Sequence, residues 1–588
     1  MKEFFKFVFA SVLGVILSFF VLLIFFVAVL TIVVSTAGRE HKADVEPNSV
    51  LHMTLNHPIL ERTVKNPLDN LSFMGYENNS IGLNDILAGI EKAQKDDHIK
   101  GIYLDISSIS TGYASIEEIR NALLNFKKSG KFILAYSEVY TQGAYYLASV
   151  ADKVYLNPEG LIDFRGLNTE IAFFKKALDK LEIEVQVIKV GTYKSAVEPF
   201  ILDKMSEPNR TQVKSFLGSM YDHVLQKVSE GRKLSKDSVY SISYHARVRN
   251  AADALTYKMV DGLRYKDEVL DELRSRTGID KDKNIKSVSI EKYAPTDEEK
   301  ESSSTNCIAL IYATGEIISG EGTDETIGSE RISRALRTAR TDDKIKAVVL
   351  RINSPGGSSL ASDVIWREVM LTKKAKPVMV SMGDVAASGG YYIACAADSI
   401  FAQPTTITGS IGVFGLIPNM QQFFNNKLGI TFDGIQTGLF SNTGTVTRPL
   451  NPAEKIIIQN EVNHIYSSFT SKVADGRKKS SSYIDSIGQG RVWSGRDALK
   501  NGLVDRLGDI QDAVHAAAKK AGLSEYKIVN YPKLKDPLSS LLSHSTDKLE
   551  TYFTKQQMGE SYKYYQQLKS IVNNMGIQSR IPYTIVVK

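Results

Sequence analysis

The feature that most constrains this chain is that it contains itself twice. The stretch GDVAASGGYYIACAADSI (383–400) is matched 246 positions earlier by SEVYTQGAYYLASVADKV (137–154), with the Tyr-Tyr pair, the Ala after it and the Asp in register. At that offset the alignment runs without a gap from Gly82/Gly328 to Pro158/Pro404, and KDDHIKGIYLDI (95–106) faces TDDKIKAVVLRI (341–352). Farther on, the offset drifts by a residue or two, yet VSEGRKLS (228–235) still faces VADGRKKS (473–480). In the same way ADALTYKMVDGL (252–263) faces RDALKNGLVDRL (496–507). A repeat of this length implies two homologous folding units rather than a short-period solenoid. A chain of 588 residues also exceeds what one core organises.

Within each unit, short apolar runs alternate with helical patterns. In the second, KAVVLRI is β-rich and ends at the loop NSPGGSS; a helix follows over SDVIWREVMLTKK, then the strand PVMVSM. The loop GDVAA leads into a small-residue helix, SGGYYIACAA, and the strand SIFAQ. Alternation of this kind predicts an α/β fold with right-handed crossovers and a mainly parallel sheet. Chemistry in such sheets gathers at the carboxyl ends of strands, where NSPGG and VAASGG both fall. The predicted organisation is an anchor over residues 1–38, a first repeat over 39–300, a second over 301–530 and a tail over 531–588. The joint is the polar stretch APTDEEKESSST (294–305). The tail combines a Tyr/Gln/Lys-rich amphipathic stretch with a strand-like terminus, IPYTIVVK.

Residues 7–38 carry no charge, more than the ~20 apolar residues a membrane-crossing helix needs. Ser35-Thr36-Ala37 suits a signal-peptide cleavage site, but the apolar region of such a peptide is only about 7–15 residues long, so an uncleaved anchor is expected. Lys2 and Lys6 precede the span and Arg39 and Lys42 follow it, so charge barely decides orientation. Hydrophobic content of 43% and charge of 23% suit a globular chain. A net charge of +6 without a basic stripe argues against nucleic acid as a partner. Cys307 and Cys395 lie in apolar runs and read as small buried residues, and no metal-ligand spacing exists.

Ser388 is the first candidate for chemistry. It stands in a run of small residues, which close packing alone could explain, but the twin position holds Gln142, so bulk is tolerated there. It opens a helix-like segment, where free N–H groups favour developing negative charge. It is not in a G-x-S-x-G elbow, because Ala386 stands two before it. None of the nine histidines lies close to this loop, and His515 in HAAAKK reads as exposed. A lysine can replace histidine as base if burial keeps it neutral. Lys194 in VIKVGTYKSAVEPF is the candidate. With a one-residue slip, Gly191 matches Gly438, Tyr193 matches Phe440, and Lys194 falls on Ser441. Each copy thus keeps one reactive residue that the other lacks. Gly356 and Gly357 of NSPGG could bring backbone N–H groups to a carbonyl oxygen, or form a simple Pro-Gly turn; the first copy has SSISTG instead.

With GTYKSAVEPF, NSPGG, VAASGGYYIACAAD, TGSIGV and the paired GLVD-type segments in order, the chain resembles signal peptide peptidase A of the long, duplicated type. These are bacterial membrane-anchored Ser–Lys proteases of the Clp protease/crotonase superfamily. The resemblance implies two tandem Clp protease/crotonase-like domains, Ser388 as nucleophile, Lys194 as general base and Ser410 as the hydroxyl orienting the lysine. It implies an oxyanion hole from Gly356 or Gly357 with the Gly389 amide, and no metal or cofactor. It also implies membrane-retained signal peptide remnants as substrates, a homo-oligomeric ring or bowl (a tetramer), and a catalytic part on the periplasmic side of the inner membrane. Two alternatives are a crotonase-like enzyme acting on an acyl thioester and a non-catalytic membrane scaffold. Neither accounts for the reciprocal Ser/Lys pattern.

Overall fold

The runs KGIYLDI and KAVVLRI become the strands Ile99–Asp105 and Ile345–Ser354, inside two different sheets. Parallel strands covered on both faces by crossover helices read as continuous apolar runs, which is what these are. The computed structural model describes residues 2–37, 45–63, 80–294, 304–534, 562 and 576–581.

The duplication is visible as topology. One sheet has the order Gly262–Leu263, Lys153–Ile162, Phe132–Tyr140, Ile99–Asp105, Ser49–Met53, Ser287–Ser289, with every pairing parallel. The other contains that order as Arg506–Leu507, Ser399–Ala402, Val378–Ala387, Ile345–Ser354, Cys307–Thr314, Lys527–Tyr531, with these pairings parallel, and adds Ile407–Gly409, parallel to Val378–Ala387 and antiparallel to Val492–Ser494. Long helices recur in step. Glu207–Arg232 and Pro452–Arg477 each have 26 residues, a polar N-cap (Ser206, Asn451) and a proline in the first turn. Each ends on a lysine, Lys233 or Lys478, in the left-handed conformation.

A third sheet belongs to neither half alone. Its order is Thr326–Gly328, Glu316–Ile318, Gly356–Ser358, Gly576–Arg580, Val413–Asn419, Glu184–Val190. The last strand comes from the first half and pairs antiparallel with Val413–Asn419 over its full length.

Buried polar contacts also lock the halves together. Fully buried Arg351 donates from Nε to Glu61 Oε2 (2.8 Å) and from Nη1 to Glu118 Oε1 (2.7 Å), while Asn353 Nδ2 donates to Glu61 Oε1 (2.9 Å). Burial pushes the Glu118 carboxyl up to about 8 against the pull of Arg351. Burial opposes the charge on Arg351, but the Glu118 and Glu61 carboxylates outweigh it and hold the guanidinium protonated. Asp384 accepts from Ser115 N–H (3.0 Å) and Ser115 Oγ (2.6 Å), at the start of the helix Tyr113–Lys127. A buried charge persists only when paired in this way.

At the N-terminus, the helix Lys2–Ala37 contains a stretch, Glu3–Phe25, long and apolar enough to cross a membrane, with mean hydropathy 2.9 and none of it packed into the core. Several local expectations differ from the structure. GDVAA is not a loop: the strand Val378–Ala387 runs through it, because Val385 to Ala387 pair with Ile407–Gly409. Within NSPGG, Gly356–Ser358 is a short strand. Cys307 is only half-buried, as the first residue of its strand, whereas Cys395 is buried. Near the C-terminus the strand is Gly576–Arg580, earlier than IPYTIVVK, of which residues 582–588 lie outside the described residues. So do residues 295–303 of the expected joint, Arg39 and Lys42.

Candidate active site

Lys194 follows the strand Glu184–Val190 through a turn at Gly191, whose φ of +103° suits glycine. Because that strand is stitched to Val413–Asn419, the turn is delivered into the second half. There Tyr193 N–H donates to Gln489 O (2.8 Å), and Gln212 Nε2 donates to Tyr193 O (3.1 Å) and Ser195 Oγ (2.9 Å). Gln212 Oε1 accepts from Val492 N–H (3.1 Å), so this one amide ties the lysine turn to the second half.

The ammonium end of Lys194 is enclosed. The residue is 1% exposed, with Nζ 2.8 Å from Ser388 Oγ, 3.2 Å from Ser410 Oγ and 3.3 Å from Ser410 O. Burial holds its amine well below the ordinary 10.5, and among the described residues no carboxylate pairs with it. A neutral amine has two hydrogens and one lone pair. Two acceptors on Ser410 can take both hydrogens, which leaves the lone pair for the Ser388 hydroxyl proton.

Ser388 sits between the strand Val378–Ala387 and the helix Gly389–Ala394, at φ +56° and ψ −113°. Backbone of that kind in a non-glycine residue costs about 1–3 kcal/mol and survives only where its surroundings enforce it. Here Ser388 N–H donates to Gly409 O (2.8 Å) and Ser388 O accepts from Tyr392 N–H (2.8 Å). Ser410 also has positive φ, +51°, and its N–H donates to Arg491 O (2.7 Å).

Gly356 and Gly389 face each other across this serine. A Cβ on Gly356 would stand 2.8 Å from Gly389 N and 2.2 Å from Ser579 O. Gly356 N–H is engaged by Ser354 Oγ (3.1 Å). Ile581 N–H donates to Pro355 O (2.9 Å), and alternation of the antiparallel ladder then makes Gly357–Ser579 the next hydrogen-bonding pair. Gly357, rather than Gly356, is therefore the N–H available to a carbonyl in this cleft. Gly389 N–H, first in its helix, has no intrahelical partner.

All the residues singled out in the sequence converge within one chain: Lys194, Ser388, Ser410, Gly356, Gly357 and Gly389. The twin positions diverge. Gln142 is buried, donating to Tyr113 Oη (3.2 Å) and accepting from Gly166 N–H (2.9 Å), so it fills its site as a structural amide. Ser441 is exposed, and residues 430–437 form no strand corresponding to Glu184–Val190. Sequence reasoning missed Gln212, Gln489 and Gly490, on which a Cβ would lie 2.6 Å from the Lys194 backbone. Only the glycine pair in GQG (488–490) left a trace in the sequence, as a potential close approach.

Residues 125–280 and 370–524 match the model of peptidase family S49, and residues 298–407 match that of Clp protease. The chain is 40% identical over 462 residues to Protease 4 of Salmonella typhi, covering 76% of this chain and 74% of that protein. It is 38% identical over 444 residues to Protease 4 of Haemophilus influenzae, covering 74% and 72%. To the chloroplastic serine protease SPPA of Arabidopsis thaliana it is 34% identical over 504 residues, covering 84% and 73%. The family model matches twice, once in each half, over more than half of the chain, so this chain belongs to peptidase family S49 and is a tandem-repeat serine protease.

Proposed function

We propose that this protease works through a Ser–Lys dyad split between its halves: the first repeat (39–300) supplies Lys194 as general base and the second (301–530) supplies Ser388 as nucleophile. The observation that carries the reading is the 2.8 Å approach of Lys194 Nζ to Ser388 Oγ in a site whose burial holds the amine well below its ordinary value. Lys194 takes the Ser388 proton as Oγ attacks a peptide carbonyl, and the Gly357 and Gly389 amides stabilise the oxyanion. Protonated Lys194 then gives that proton to the leaving amine. Water, deprotonated by the same lysine, hydrolyses the acyl-enzyme ester and regenerates Ser388. Ser410 aims the lysine throughout.

The substrates under this reading are short apolar peptides such as signal peptide remnants, in line with an enterococcal relative named as a putative signal peptide peptidase SppA. The apolar N-terminal helix anchors the enzyme in the bacterial inner membrane, with the protease domains on the periplasmic side, so the site works beside apolar substrate. Assembly as a homo-oligomer accompanies this reading. To test it, the wild type, Ser388→Ala and Lys194→Ala would be mixed with an apolar synthetic peptide and cleavage followed by mass spectrometry. Cleavage by the wild type alone, with both variants folded, is the expected result. Normal cleavage by Lys194→Ala would place the base elsewhere.

A further inference from the structure

The strand that delivers Ser388 is interrupted just before it. Ile352 pairs with Met382 and Ser354 with Ala386, so Gly383, Asp384 and Val385 stand together opposite the single residue Asn353. A bulge of this kind leaves backbone groups without ladder partners and re-aims the chain that follows. All three residues are held, directly or through Asn353, by the first half. Gly383 lies so close to Glu61 that a Cβ on it would stand 2.7 Å from Glu61 Oε1. The Asp384 carboxyl accepts from Ser115 N–H (3.0 Å) and Ser115 Oγ (2.6 Å), and a Cβ on Gly112 would meet its carboxyl carbon at 2.3 Å. Val385 N–H donates to Asn353 Oδ1 (3.1 Å), and Asn353 Nδ2 donates in turn to Glu61 Oε1 (2.9 Å). Gly112 belongs to SSISTG, the first copy's counterpart of NSPGG. In the first copy the amide matching Val385 is that of Val139, and it donates to Ser137 Oγ (3.2 Å), in its own strand. The copy that carries the serine is thus held from across the junction, and its twin by a side chain of its own.

We infer that this clamp serves the reaction as well as the fold: Asp384, seated on Ser115, is a positioning residue that sets the direction in which Ser388 leaves its strand. The inference deepens the dyad reading above and rests on Ser388 as nucleophile. Ser388 holds φ +56° and ψ −113°, a conformation that survives only where the chain on both sides of it is fixed. On the helix side, Tyr392 N–H donates to Ser388 O (2.8 Å). On the strand side, Ala386 and Ala387 alone separate the bulge from Ser388, so a shift of the bulge is passed to the serine. Arg351 Nη1 steadies the strand just upstream by donating to Ser381 Oγ (2.9 Å). The first half therefore acts twice on one site. It supplies the Lys194 amine, and it seats the strand that carries the amine's partner, so both ends of the 2.8 Å approach are fixed.

Steady-state cleavage of an apolar synthetic peptide by the full-length chain, together with the rate at which a small fluorophosphonate labels Ser388, tests this. The final extent of labelling counts folded enzyme, so kcat is expressed per labelled serine. Asp384→Ala is expected to lower kcat and the labelling rate about 100-fold with KM unchanged, the cost of a misplacement of about 1 Å. Asp384→Asn keeps an oxygen for Ser115 N–H and an amide that donates to Ser115 Oγ, so it should recover most of that loss. If Asp384→Ala does not fold, Ser115→Ala decides: a fall in both rates of up to about tenfold supports the clamp, and undiminished rates overturn it. Arg496→Met removes a different bond between the halves, from Arg496 Nη1 to Asp222 Oδ2 (2.7 Å), and should leave kcat unchanged. Wild-type kcat in folded Asp384→Ala, a change confined to KM, or an equal loss in Arg496→Met overturns the inference and leaves the dyad reading standing. Unimpaired cleavage by Ser388→Ala removes the nucleophile, and this inference falls with it.

Discussion

Gly490 stands against the backbone of Lys194 so closely that a Cβ on it would lie 2.6 Å from the lysine's N, Cα and Cβ atoms. Its φ of +78° disfavours a side chain on conformational grounds as well. A residue far away in sequence therefore sets the position of the amine. Gly490→Ala is expected to displace Lys194 and lower kcat by about 100-fold, since a misplacement near 1 Å can cost that much. Retained circular dichroism with normal activity would show that the turn relaxes without moving the amine.

The buried amine sets the pH dependence of both rate and stability. Its value in the folded chain lies below 10.5, so activity should rise with pH as Lys194 loses its proton, then level off. Between the folded value and 10.5 the unfolded chain carries a proton that the folded chain lacks, so this residue's contribution to stability rises with pH across that window. Lys194→Met should therefore abolish activity yet raise Tm at pH 7, with the gain shrinking toward pH 10.5. The slope is at most about 1.4 kcal/mol per pH unit. A gain that grows with pH would contradict burial of a neutral amine.

Ser410 holds the Lys194 amine through its hydroxyl and its backbone carbonyl. Ser410→Ala removes one of the two acceptors within 3.3 Å of Nζ and leaves the backbone carbonyl. Loss of a hydrogen bond worth about 0.5–1.5 kcal/mol predicts a fall in kcat of up to about tenfold with KM unchanged. Ser410→Thr should recover part of that loss, which a purely structural role would not predict.

The glycine hole is sensitive to one methyl group. Gly356→Ala would place a carbon 2.2 Å from the carbonyl oxygen seated there, at a φ of +99°. Loss of a well-placed oxyanion site costs about 100- to 1,000-fold in rate. Labelling of Ser388 by a small serine-directed probe should slow by a comparable factor, and undiminished labelling would show that a methyl group at Gly356 leaves the Gly357 and Gly389 hole open.

Arg351 is the charge on which the junction of the halves depends. Arg351→Met leaves the Glu61 and Glu118 carboxyls buried without their partner, a class of change costing about 3–5 kcal/mol. The Tm measured by thermal unfolding at pH 7 should fall accordingly. An unchanged Tm would mean that water enters the junction.

Local pattern carried much of this protein. The offset of 246 residues between the Tyr-Tyr frames foretold two sheets of the same strand order, because apolar periodicity and turn residues are properties of neighbours in sequence. Ser388, Lys194, Gly356 and Gly357 were legible for the same reason, as local departures between two copies that otherwise agree. The reciprocal match of Lys194 to Ser441 did not extend to structure, since residues 430–437 make no strand like Glu184–Val190. Nor did the sequence reveal that this first-half strand would cross to pair with Val413–Asn419, that Gln212 and Gly490 would hold the lysine, or that residues 576–580 would fill the cleft. Those outcomes depend on which distant edges meet once both cores are buried. Burial lowers the amine's affinity for its proton only inside a site that two halves close around it, so the 2.8 Å approach of Lys194 to Ser388 belongs to the tertiary structure.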